Sequence, residues 1–473
     1  MTHLENPLSL YHALQNHAGR DFVCFHMPGH KGQSFFAPQL PWHLDITEIS
    51  GFDNLHAPEG ILEKSQKLAS NLWGARESFL LVNGSTAGIL AGIYATVNVG
   101  DKILVARNCH KAVYHAMELL QLKPIFIDPP QIKNTGILGS ISPKQVADAL
   151  KKHPDIGLCI LVSPTYEGII SDISAISHLL GSIPLLVDQA HGAHLGLGPH
   201  FPQSAITQGA SLVVQSLHKT LPSLTQTALL HVASEHISPK RVQHALGIFQ
   251  SSSPSYPLMA SIDACLVFLQ KEGKKQLATW HENLLSFYED VKNLQHLQMF
   301  SPKQYPEDIF HFDPSKLTLL CQNTSINAYQ LEAMLRDNHH ILLEMALSTH
   351  ALAMTGMGNN KADYTALSKA LKELDNSLSA TIKAPKPIPL PPLGTQHLSI
   401  YQALHGKEKT LPFAQCKGEI SAAYVWVTPP CVPILVPGTE ITADILAYLQ
   451  EINPQHIRCS KDSSPGFIAC VDK

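Results

Sequence analysis

The chain has 473 residues, which is too long for a single hydrophobic core and predicts roughly three domains. Its 34 lysines and arginines stand against 38 aspartates and glutamates, which gives a formal net charge of −4. The sequence has no basic block of the kind that binds a nucleic-acid backbone. We therefore expect a small-molecule substrate and no nucleic-acid partner.

The sequence carries no pattern that predicts export or membrane insertion. Residues 1–16 lack the positively charged stretch and following apolar stretch of a secretory signal. The most apolar window, residues 79–99, contains Asn83, Ser85 and Thr86, so it favours a strand, a turn and a buried helix over a membrane span. The nine cysteines form no CxxC pair, which is typical of reduced thiols. These features predict a cytoplasmic protein without a membrane partner.

Histidine is abundant, with 27 copies, and His191 and His194 share the i, i+3 spacing of many metal ligands. Both lie in a glycine-rich stretch, residues 188–196, and no HExxH-like companion or paired acid cluster accompanies them. We therefore predict no metal site.

Short apolar runs alternate with longer amphipathic stretches between about residues 60 and 230. Strands that alternate with helices predict a mostly parallel sheet. The predicted strands cover residues 78–82, 102–106, 124–127, 156–162, 184–187 and 211–214.

Two helices are predicted next, over residues 256–271 and 275–297, and short strands and helices over residues 300–375. Five prolines in residues 384–394 exclude a helix interior or a central strand and predict a stiff linker. The predicted organisation comprises an N-terminal segment contributing to the active site (1–60), a large cofactor-binding domain (61–295), a small α/β domain (296–383), the linker (384–394) and a C-terminal subdomain (395–473).

The most informative segment, residues 216–226, reads Ser-Leu-His-Lys-Thr-Leu-Pro-Ser-Leu-Thr-Gln and follows a predicted strand. It places Lys219 at the carboxyl end of that strand, where open α/β sheets bind their ligands. A deprotonated lysine attacks aldehydes, so the segment indicates Schiff-base chemistry. A solvated loop lysine is the alternative.

Three further segments supply what a lysine-bound aldehyde with a phosphate group needs. Residues 83–86, Asn-Gly-Ser-Thr, follow a strand, and the Ser/Thr pair is expected to cap a helix whose N-terminus attracts an anion. His110 follows the strand at 102–106 and could lay its imidazole on an aromatic ring. Asp188 ends the strand at 184–187, where a carboxylate can pair with a pyridinium nitrogen.

Each of these segments also has a purely structural alternative: a capped helix without a ligand, a structural histidine and an aspartate that caps the next turn. All four segments are nevertheless predicted at the carboxyl edge of one sheet. Ser216 and His218 are near enough in sequence to reach the same phosphate. This convergence predicts pyridoxal 5′-phosphate (PLP) as the cofactor.

With these motifs the chain resembles the Orn/Lys/Arg decarboxylases of the aspartate-aminotransferase fold, in the short form without an extra N-terminal wing domain. The resemblance extends over nearly the whole chain. It includes residues 83–86, called the phosphate turn below, and the Lys219 segment, residues 216–226. The other matching motifs are FHMPGHKG (25–32), DITE (45–48), GFDNLHAPEG (51–60), RNCHK (107–111), SPTYEG (163–168), DQAHGAH (188–194) and SSSPSY (251–256).

The resemblance implies an α/β protein of PLP fold type I, with a mostly parallel seven-stranded sheet, helices on both faces and a smaller C-terminal α/β domain. It implies decarboxylation of lysine, arginine or ornithine to the corresponding amine and CO₂, an activity of polyamine biosynthesis. Such sites are built at a dimer interface, so the resemblance also implies a homodimer or a higher homo-oligomer.

The resemblance assigns roles to individual residues as well. Lys219 would form the imine with PLP, Asp188 would pair with the pyridine nitrogen, and His110 would stack on the ring. The remaining cofactor contacts would come from Gly84, Ser85, Thr86, Ser216 and His218 at the phosphate, from His191 beside the cofactor, and from Ser251 or Ser252 at the phosphate of the neighbouring subunit.

The C-terminal region departs from the family pattern at two positions. Ala423 stands where similar proteins usually have a glutamate, and residues 428–431 read Thr-Pro-Pro-Cys instead of the usual Tyr-Pro-Pro-Gly, which places Cys431 at the glycine position. The missing carboxylate bears on which side chain the site accepts. Glu344 is another acid in a family-like segment.

Two other interpretations stay open at the level of sequence. The fold decides cofactor binding and not the reaction, so an aminotransferase, a carbon–sulfur lyase or an aldolase-like enzyme is the first alternative. A degenerate, non-catalytic homologue is the second, suggested by Ala423 and Cys431. The presence of Lys219, Asp188 and His110 argues against the second alternative.

Overall fold

The computed structural model describes residues 9–19, 26–28, 30–31, 33, 37, 39–380, 387–427, 432–461 and 466–472. The chain divides into two compact units, each built from separate segments. The first unit comprises Met1–Thr96, Ile173–Asn283 and Gly356–Asn360. The second unit comprises Val97–Asp172, Leu284–Thr355 and Lys361–Lys473.

Helices occur in both units. They are α1 (Leu10–Ala18), α2 (Ile61–Trp73), α3 (Gly84–Thr96), α4 (Lys111–Leu119), α5 (Pro143–Lys152), α6 (Ile173–Leu180), α7 (Leu217–Thr220), α8 (Pro239–Phe249), α9 (Tyr256–Asp290), α10 (Ala328–His339), α11 (Lys361–Ser377), α12 (Ile400–His405) and α13 (Ala443–Glu451). Short 3₁₀ turns cover Trp42–Leu44, Ala190–Gly192, Pro302–Gln304, Phe413–Gln415 and Pro454–His456.

Strands are mostly short and buried. They are β1 (Glu77–Leu81), β2 (Lys102–Ala106), β3 (Lys123–Ile127), β4 (Ile156–Val162), β5 (Ile169–Ile170), β6 (Leu185–Asp188), β7 (Leu212–Ser216), β8 (Ala228–Val232), β9 (Gln298–Met299), β10 (His311–Phe312), β11 (Lys316–Leu320), β12 (Met345–Ala346), β13 (His350–Met354), β14 (Glu408–Pro412), β15 (Val425–Val427), β16 (Val432–Leu435), β17 (Ile457–Cys459) and β18 (Phe467–Val471).

The strands of the main sheet have the order β1-β8-β7-β6 in the first unit and β4-β2-β3 in the second unit. In the first unit β6 and β7 are parallel, and in the second unit β2 is parallel to both β3 and β4. The predicted mostly parallel sheet is therefore confirmed. Strand β8 is antiparallel to β1 and β7 and was not predicted. It returns directly from the Lys219 segment without a crossover helix, which only an antiparallel strand can do.

Helix α3 lies unusually close to the strands of the first unit because glycines face them. A Cβ added at Gly88 would lie 2.6 Å from Leu81 Cδ1, and one added at Gly92 would lie 2.9 Å from Leu186 Cδ1. Larger residues at these positions would push the helix outward. The glycines therefore let the middle of α3 approach Leu81 of β1 and Leu186 of β6 closely.

Helix α9 is one continuous helix of 35 residues, whereas the sequence predicts two helices separated near Gly273. A glycine weakens a helix by about 1 kcal/mol but does not end it when the flanking turns are buried. Leu269 and Leu277 on either side of Gly273 are both buried. Packing therefore outweighs the local preference at this position.

The second unit contains a four-stranded sheet, β12-β13-β11-β9, and two smaller C-terminal sheets, β14-β18 and β16-β15-β17. Residues 387–394 of the predicted linker form neither helix nor strand. Within the described residues no helix is both long and apolar enough to cross a membrane. The predicted domain boundaries remain predictions.

Arg107, which follows β2, contacts the C-terminal residues of the same unit although only 1% of its surface is exposed. Its Nε donates to the Pro433 carbonyl at 3.0 Å, and its Nη1 donates to the Pro391 carbonyl at 2.7 Å. Burial lowers the pKa of Arg107, and the carboxylate of Asp128, 3.4 Å from Nη1, partly offsets this effect. One buried cation thus holds two separate C-terminal segments by their backbone.

Candidate active site

Two parallel strands of the first unit end at the same edge and position the predicted catalytic residues. Asp188, the last residue of β6, is paired in register with Val214 of β7. Helix α7 follows β7 at once and carries Lys219, while the 3₁₀ turn Ala190–Gly192 follows β6 and carries His191. Each strand runs directly into a helical turn, so the connections are short.

Lys219 forms a direct hydrogen bond with His191. The Nζ atom of Lys219 lies 2.8 Å from Nε2 of His191, and the direction of donation depends on the histidine tautomer. His191 is only 4% exposed, whereas Lys219 is half-buried. A buried imidazole in contact with an amine can take up or return a proton at that amine. The pair is therefore suited to a lysine that must lose its proton to react.

Asp188 is a buried carboxylate, with 3% of its surface exposed. Its Oδ1 accepts a hydrogen bond from the amide of Ala190 at 3.1 Å. The side chain therefore does cap the following turn, as the structural alternative predicts. A buried carboxylate is stable only with hydrogen-bond donors or a cation beside it, and a protonated pyridine nitrogen is a donor of that kind.

The predicted phosphate turn and the end of β7 meet through two hydroxyl groups. The Oγ atoms of Ser85 and Ser216 lie 2.6 Å apart. The first amides of a helix have no partner within the helix and carry partial positive charge. Two hydroxyls beside such amides form a donor set suited to a phosphate group.

The predicted cap of α3 is wrong in one respect. The helix begins at Gly84, so Ser85 and Thr86 lie in its first turn instead of capping it. The reason is the backbone of Gly84, whose φ of +72° allows a sharp entry into the helix. The Ser85 hydroxyl is consequently bonded to Ser216 rather than to the helix backbone.

His218 is half-buried, and its Nδ1 lies 2.9 Å from the Thr227 carbonyl, which can only accept. Burial lowers the pKa of His218, and the nearby Lys219 lowers it further, while the bond to Thr227 raises it. The neutral ring therefore carries its proton on Nδ1. Its Nε2 must gain a proton before it can donate to a phosphate.

His110 lies in the second unit, where it caps α4: its Nδ1 accepts from the Ala112 amide at 3.2 Å. This is the structural role considered from sequence, and the stacking role stays a prediction. Ser251 and Ser252 are exposed, and the Ser251 carbonyl accepts from His56 Nε2 at 2.8 Å. Their predicted contact with a neighbouring subunit also stays a prediction.

The two histidines considered as metal ligands have separate surroundings. His194 is fully buried, and its ring packs against Phe201 and Trp280 at centroid distances of 4.8 and 4.7 Å. His191 contacts Lys219 instead. Across the described part of the chain, no group of three or more His, Cys, Asp or Glu residues is arranged to hold a metal ion.

The C-terminal departures have contrasting outcomes. Ala423 is 2% exposed and belongs to an apolar cluster with Ala403, Ala422, Ala469 and Val471. Glu344 is exposed, and its amide donates to the Leu352 carbonyl at 3.0 Å. Cys431 and the preceding residues 428–430 lie outside the described residues.

Sequence reasoning missed Gln226 and Gln250, two glutamines that hold the phosphate turn. Gln226 Nε2 donates to the Val82 carbonyl at 2.6 Å, and the Val82 amide donates to Gln250 Oε1 at 2.8 Å. The available signal was the position of Gln226 just before β8. Recognising β8 as a neighbour of β1 would have placed Gln226 beside the turn that follows β1.

The residues present fit PLP. Lys219 beside His191 suits the aldehyde, the buried Asp188 suits the pyridine nitrogen, and the Ser85–Ser216 pair at the start of α3 suits the phosphate. The fold and the site together define a lysine-dependent enzyme of PLP fold type I.

Models of known families match both parts of the chain. The model described as Orn/Lys/Arg decarboxylase, major domain, matches residues 7–363, and the model of the C-terminal domain matches residues 350–471. The chain belongs to the Orn/Lys/Arg decarboxylase family. The predicted family, fold class and reaction class, decarboxylation of a basic amino acid, are confirmed.

Individual relatives agree with this assignment. The arginine decarboxylase of Bacillus anthracis is 32% identical over 469 residues, covering 95% of this chain and 94% of the relative. The uncharacterized protein YaaO of Bacillus subtilis (strain 168) is 33% identical over 465 residues, covering 94% of each. The lysine decarboxylase LdcF of Francisella novicida has the same fold, with a TM-score of 0.82 at 20% identity, covering 98% of this chain and 81% of the other.

Proposed function

We propose that this chain is a PLP-dependent arginine decarboxylase that converts arginine to its amine and CO₂. The observation that carries the chemistry is the 2.8 Å contact between Lys219 and His191 at the edge where Asp188 ends its strand. We propose arginine as the substrate, ahead of lysine and ornithine, because the Bacillus anthracis relative is an arginine decarboxylase. That relative is 32% identical over almost the whole chain.

Each side chain of the site has a task in this proposal. Lys219 holds the cofactor through its aldehyde carbon, Asp188 holds the proton of the pyridine nitrogen, and Ser85 and Ser216 bind the phosphate together with Gly84, Thr86 and His218. His110 lies against the ring, and Ser252 reaches the cofactor of a second subunit. Bound PLP supplies the electron sink that accepts the electrons left on Cα when CO₂ departs.

Proton transfer in this proposal depends on the Lys219–His191 pair. Lys219 would have to lose a proton from Nζ to bind the cofactor aldehyde. His191 exchanges that proton with Nζ across their hydrogen bond. The amine product carries one proton on Cα that the substrate does not, and in this proposal the pair would supply it. The buried position of His191 keeps bulk water away from this exchange.

We further propose a cytoplasmic homodimer that contributes to polyamine biosynthesis. The described cysteines, six of which are buried, are free thiols, as is typical of a reducing compartment. The exposed hydroxyls of Ser251 and Ser252 are in keeping with a contact from a second subunit. Size-exclusion chromatography with light scattering measures the oligomeric state directly.

The decisive experiment measures CO₂ and amine release from arginine, lysine and ornithine by the wild-type chain and by Lys219→Ala. We expect the wild type to prefer arginine, and Lys219→Ala to lose turnover by about 10⁴-fold or more together with the visible absorbance of lysine-bound PLP. Lys240→Ala, at an exposed lysine of the same unit, is the matched control and should behave as wild type.

Two of the alternatives give a different result in the same assay. Formation of a keto acid without CO₂ would identify an aminotransferase. A wild-type chain that develops no visible absorbance in saturating PLP would identify a non-catalytic homologue. A Lys219→Ala variant with normal turnover would contradict the assignment of the lysine.

A further inference from the structure

The turn between β1 and α3 is held by the segment that follows Lys219. Gln226 Nε2 donates to the Val82 carbonyl at 2.6 Å, before the turn. The Gly84 amide, after the turn, donates to the Gln226 carbonyl at 2.9 Å. One residue therefore binds both sides of the turn that leads into Ser85.

The backbone of Gln226 is itself in an unfavourable conformation. Its φ of +84° lies in the left-handed region, which costs a residue other than glycine on the order of 1 kcal/mol. Such a conformation persists where surrounding contacts stabilise it. Here the two hydrogen bonds to Val82 and Gly84 provide those contacts.

The same segment is tied to the neighbours of Lys219. The carbonyl of Thr227, the next residue, accepts from His218 Nδ1 at 2.9 Å. The Thr227 hydroxyl donates to the Leu224 carbonyl, which closes the loop on itself. Gln226 and Thr227 thus connect the phosphate turn to the helix that carries Lys219.

A second glutamine also binds the backbone of Val82. The Val82 amide donates to Gln250 Oε1 at 2.8 Å, so both polar groups of the Val82 backbone are bound by glutamine side chains. Gln250 is only 7% exposed, whereas Gln226 is exposed. Of the two, Gln226 can be changed without opening a cavity.

We propose that Gln226 is a positioning residue for the phosphate group of the cofactor: it sets the Val82–Gly84 turn so that Ser85 and the first amides of α3 meet that group, without touching it. This inference rests on the proposed function. It requires that Gln226 act on ligands that carry a phosphate and not on the ring or the aldehyde.

The test compares PLP with pyridoxal, which has the same ring and aldehyde but no phosphate. Gln226→Gly is the informative variant because glycine keeps the backbone carbonyl and tolerates positive φ, so only the side-chain hydrogen bond is lost. Binding to the full-length apoenzyme is followed by visible absorbance. We expect the dissociation constant of PLP to rise about fivefold, as for one lost hydrogen bond, and that of pyridoxal to change by less than about twofold.

Gln208→Ala is the matched control, because Gln208 is a half-buried glutamine of the same unit whose Nε2 donates to the Gln203 carbonyl at 3.1 Å. It should leave both dissociation constants unchanged. Should Gln226→Gly not fold, Gln226→Asn replaces it: asparagine also tolerates positive φ, and its amide is one methylene too short for the Val82 carbonyl.

An equal loss of affinity for PLP and pyridoxal, or no loss for either, would overturn the positioning role. Failure of the wild-type chain to bind PLP would instead contradict the proposed function. The two failures are therefore distinguished by the wild-type measurement alone.

Discussion

Around Lys219 the polar side chains form pairs, whereas the side chain of Ala423 packs among small apolar ones. Lys219 bonds to His191 and Ser85 bonds to Ser216, while Ala423 packs with Ala403, Ala422, Ala469 and Val471. A buried polar pair loses its stability when one partner changes, but small apolar residues can replace one another at little cost.

The difference teaches where this chain can vary. The cofactor end depends on several polar groups acting together. At position 423, by contrast, the chain offers no carboxylate to a cationic substrate. We therefore expect the cationic side chain of the substrate to be bound by acids other than one at position 423.

Among the substitutions that test this contrast, the largest effect on activity is expected at Asp188. Asp188→Asn keeps the shape of the side chain but removes the charge that would hold a proton on the pyridine nitrogen. We expect kcat to fall about 10³-fold, with PLP still bound through Lys219. Steady-state kinetics and the visible absorbance of the purified variant check both parts. A change of less than about threefold would show that this carboxylate only caps the turn.

A smaller effect is expected at Arg107, which belongs to the second unit. Arg107→Met keeps much of the side-chain volume but leaves the Pro391 and Pro433 carbonyls without their donor. We expect the free energy of unfolding to fall by about 2 kcal/mol. Thermal unfolding measures this loss, and Arg76→Met, at an exposed arginine, is the control. Equal unfolding temperatures for Arg107→Met and wild type would contradict a stabilising role for the two hydrogen bonds of Arg107.

The last effect concerns acid stability and the buried His231. Burial lowers the pKa of His231 to about 3, and the ring lies 2.7 Å from Ser78 Oγ and 3.0 Å from Gln215 Oε1. Between an unfolded value of 6.5 and about 3, the unfolded chain binds a proton here that the folded chain does not. Stability from this group is therefore present above pH 6.5 and is lost as the pH falls.

The expected contribution is about 1.4 kcal/mol per pH unit within that window. His231→Gln keeps hydrogen-bonding groups but cannot titrate, so its stability should depend less on pH between 6 and about 4. Denaturant unfolding at several pH values measures the slope. His236→Gln, at an exposed histidine, is the control. Identical slopes for His231→Gln and wild type would exclude His231 as a source of acid sensitivity.

The sequence predicts correctly those elements that a short run of neighbouring residues determines. The apolar runs mark β2 and β4 with the bounds observed, and Lys219 is placed directly after its strand. The features that it missed depend on distant partners. Strand β8 is recognised only through its pairing with β1 and β7, and α9 continues through Gly273 because the flanking turns are buried.

The candidate site follows the same division. Lys219 and Asp188 are marked by their position at the carboxyl ends of strands, and His191 by the family resemblance. The predicted residues Ser85 and Ser216 lie together. The contribution of Gln226 required the fold, because Val82 lies 144 residues away from it along the chain. A glutamine that binds a backbone group so far away has no local pattern.

The attachment made by Arg107 has an evolutionary consequence. Both of its C-terminal partners are backbone carbonyls, which every amino acid provides. The recognition is therefore indifferent to the side chains of the segments it holds. Substitutions can therefore accumulate along these segments without removing the two contacts by which Arg107 holds them.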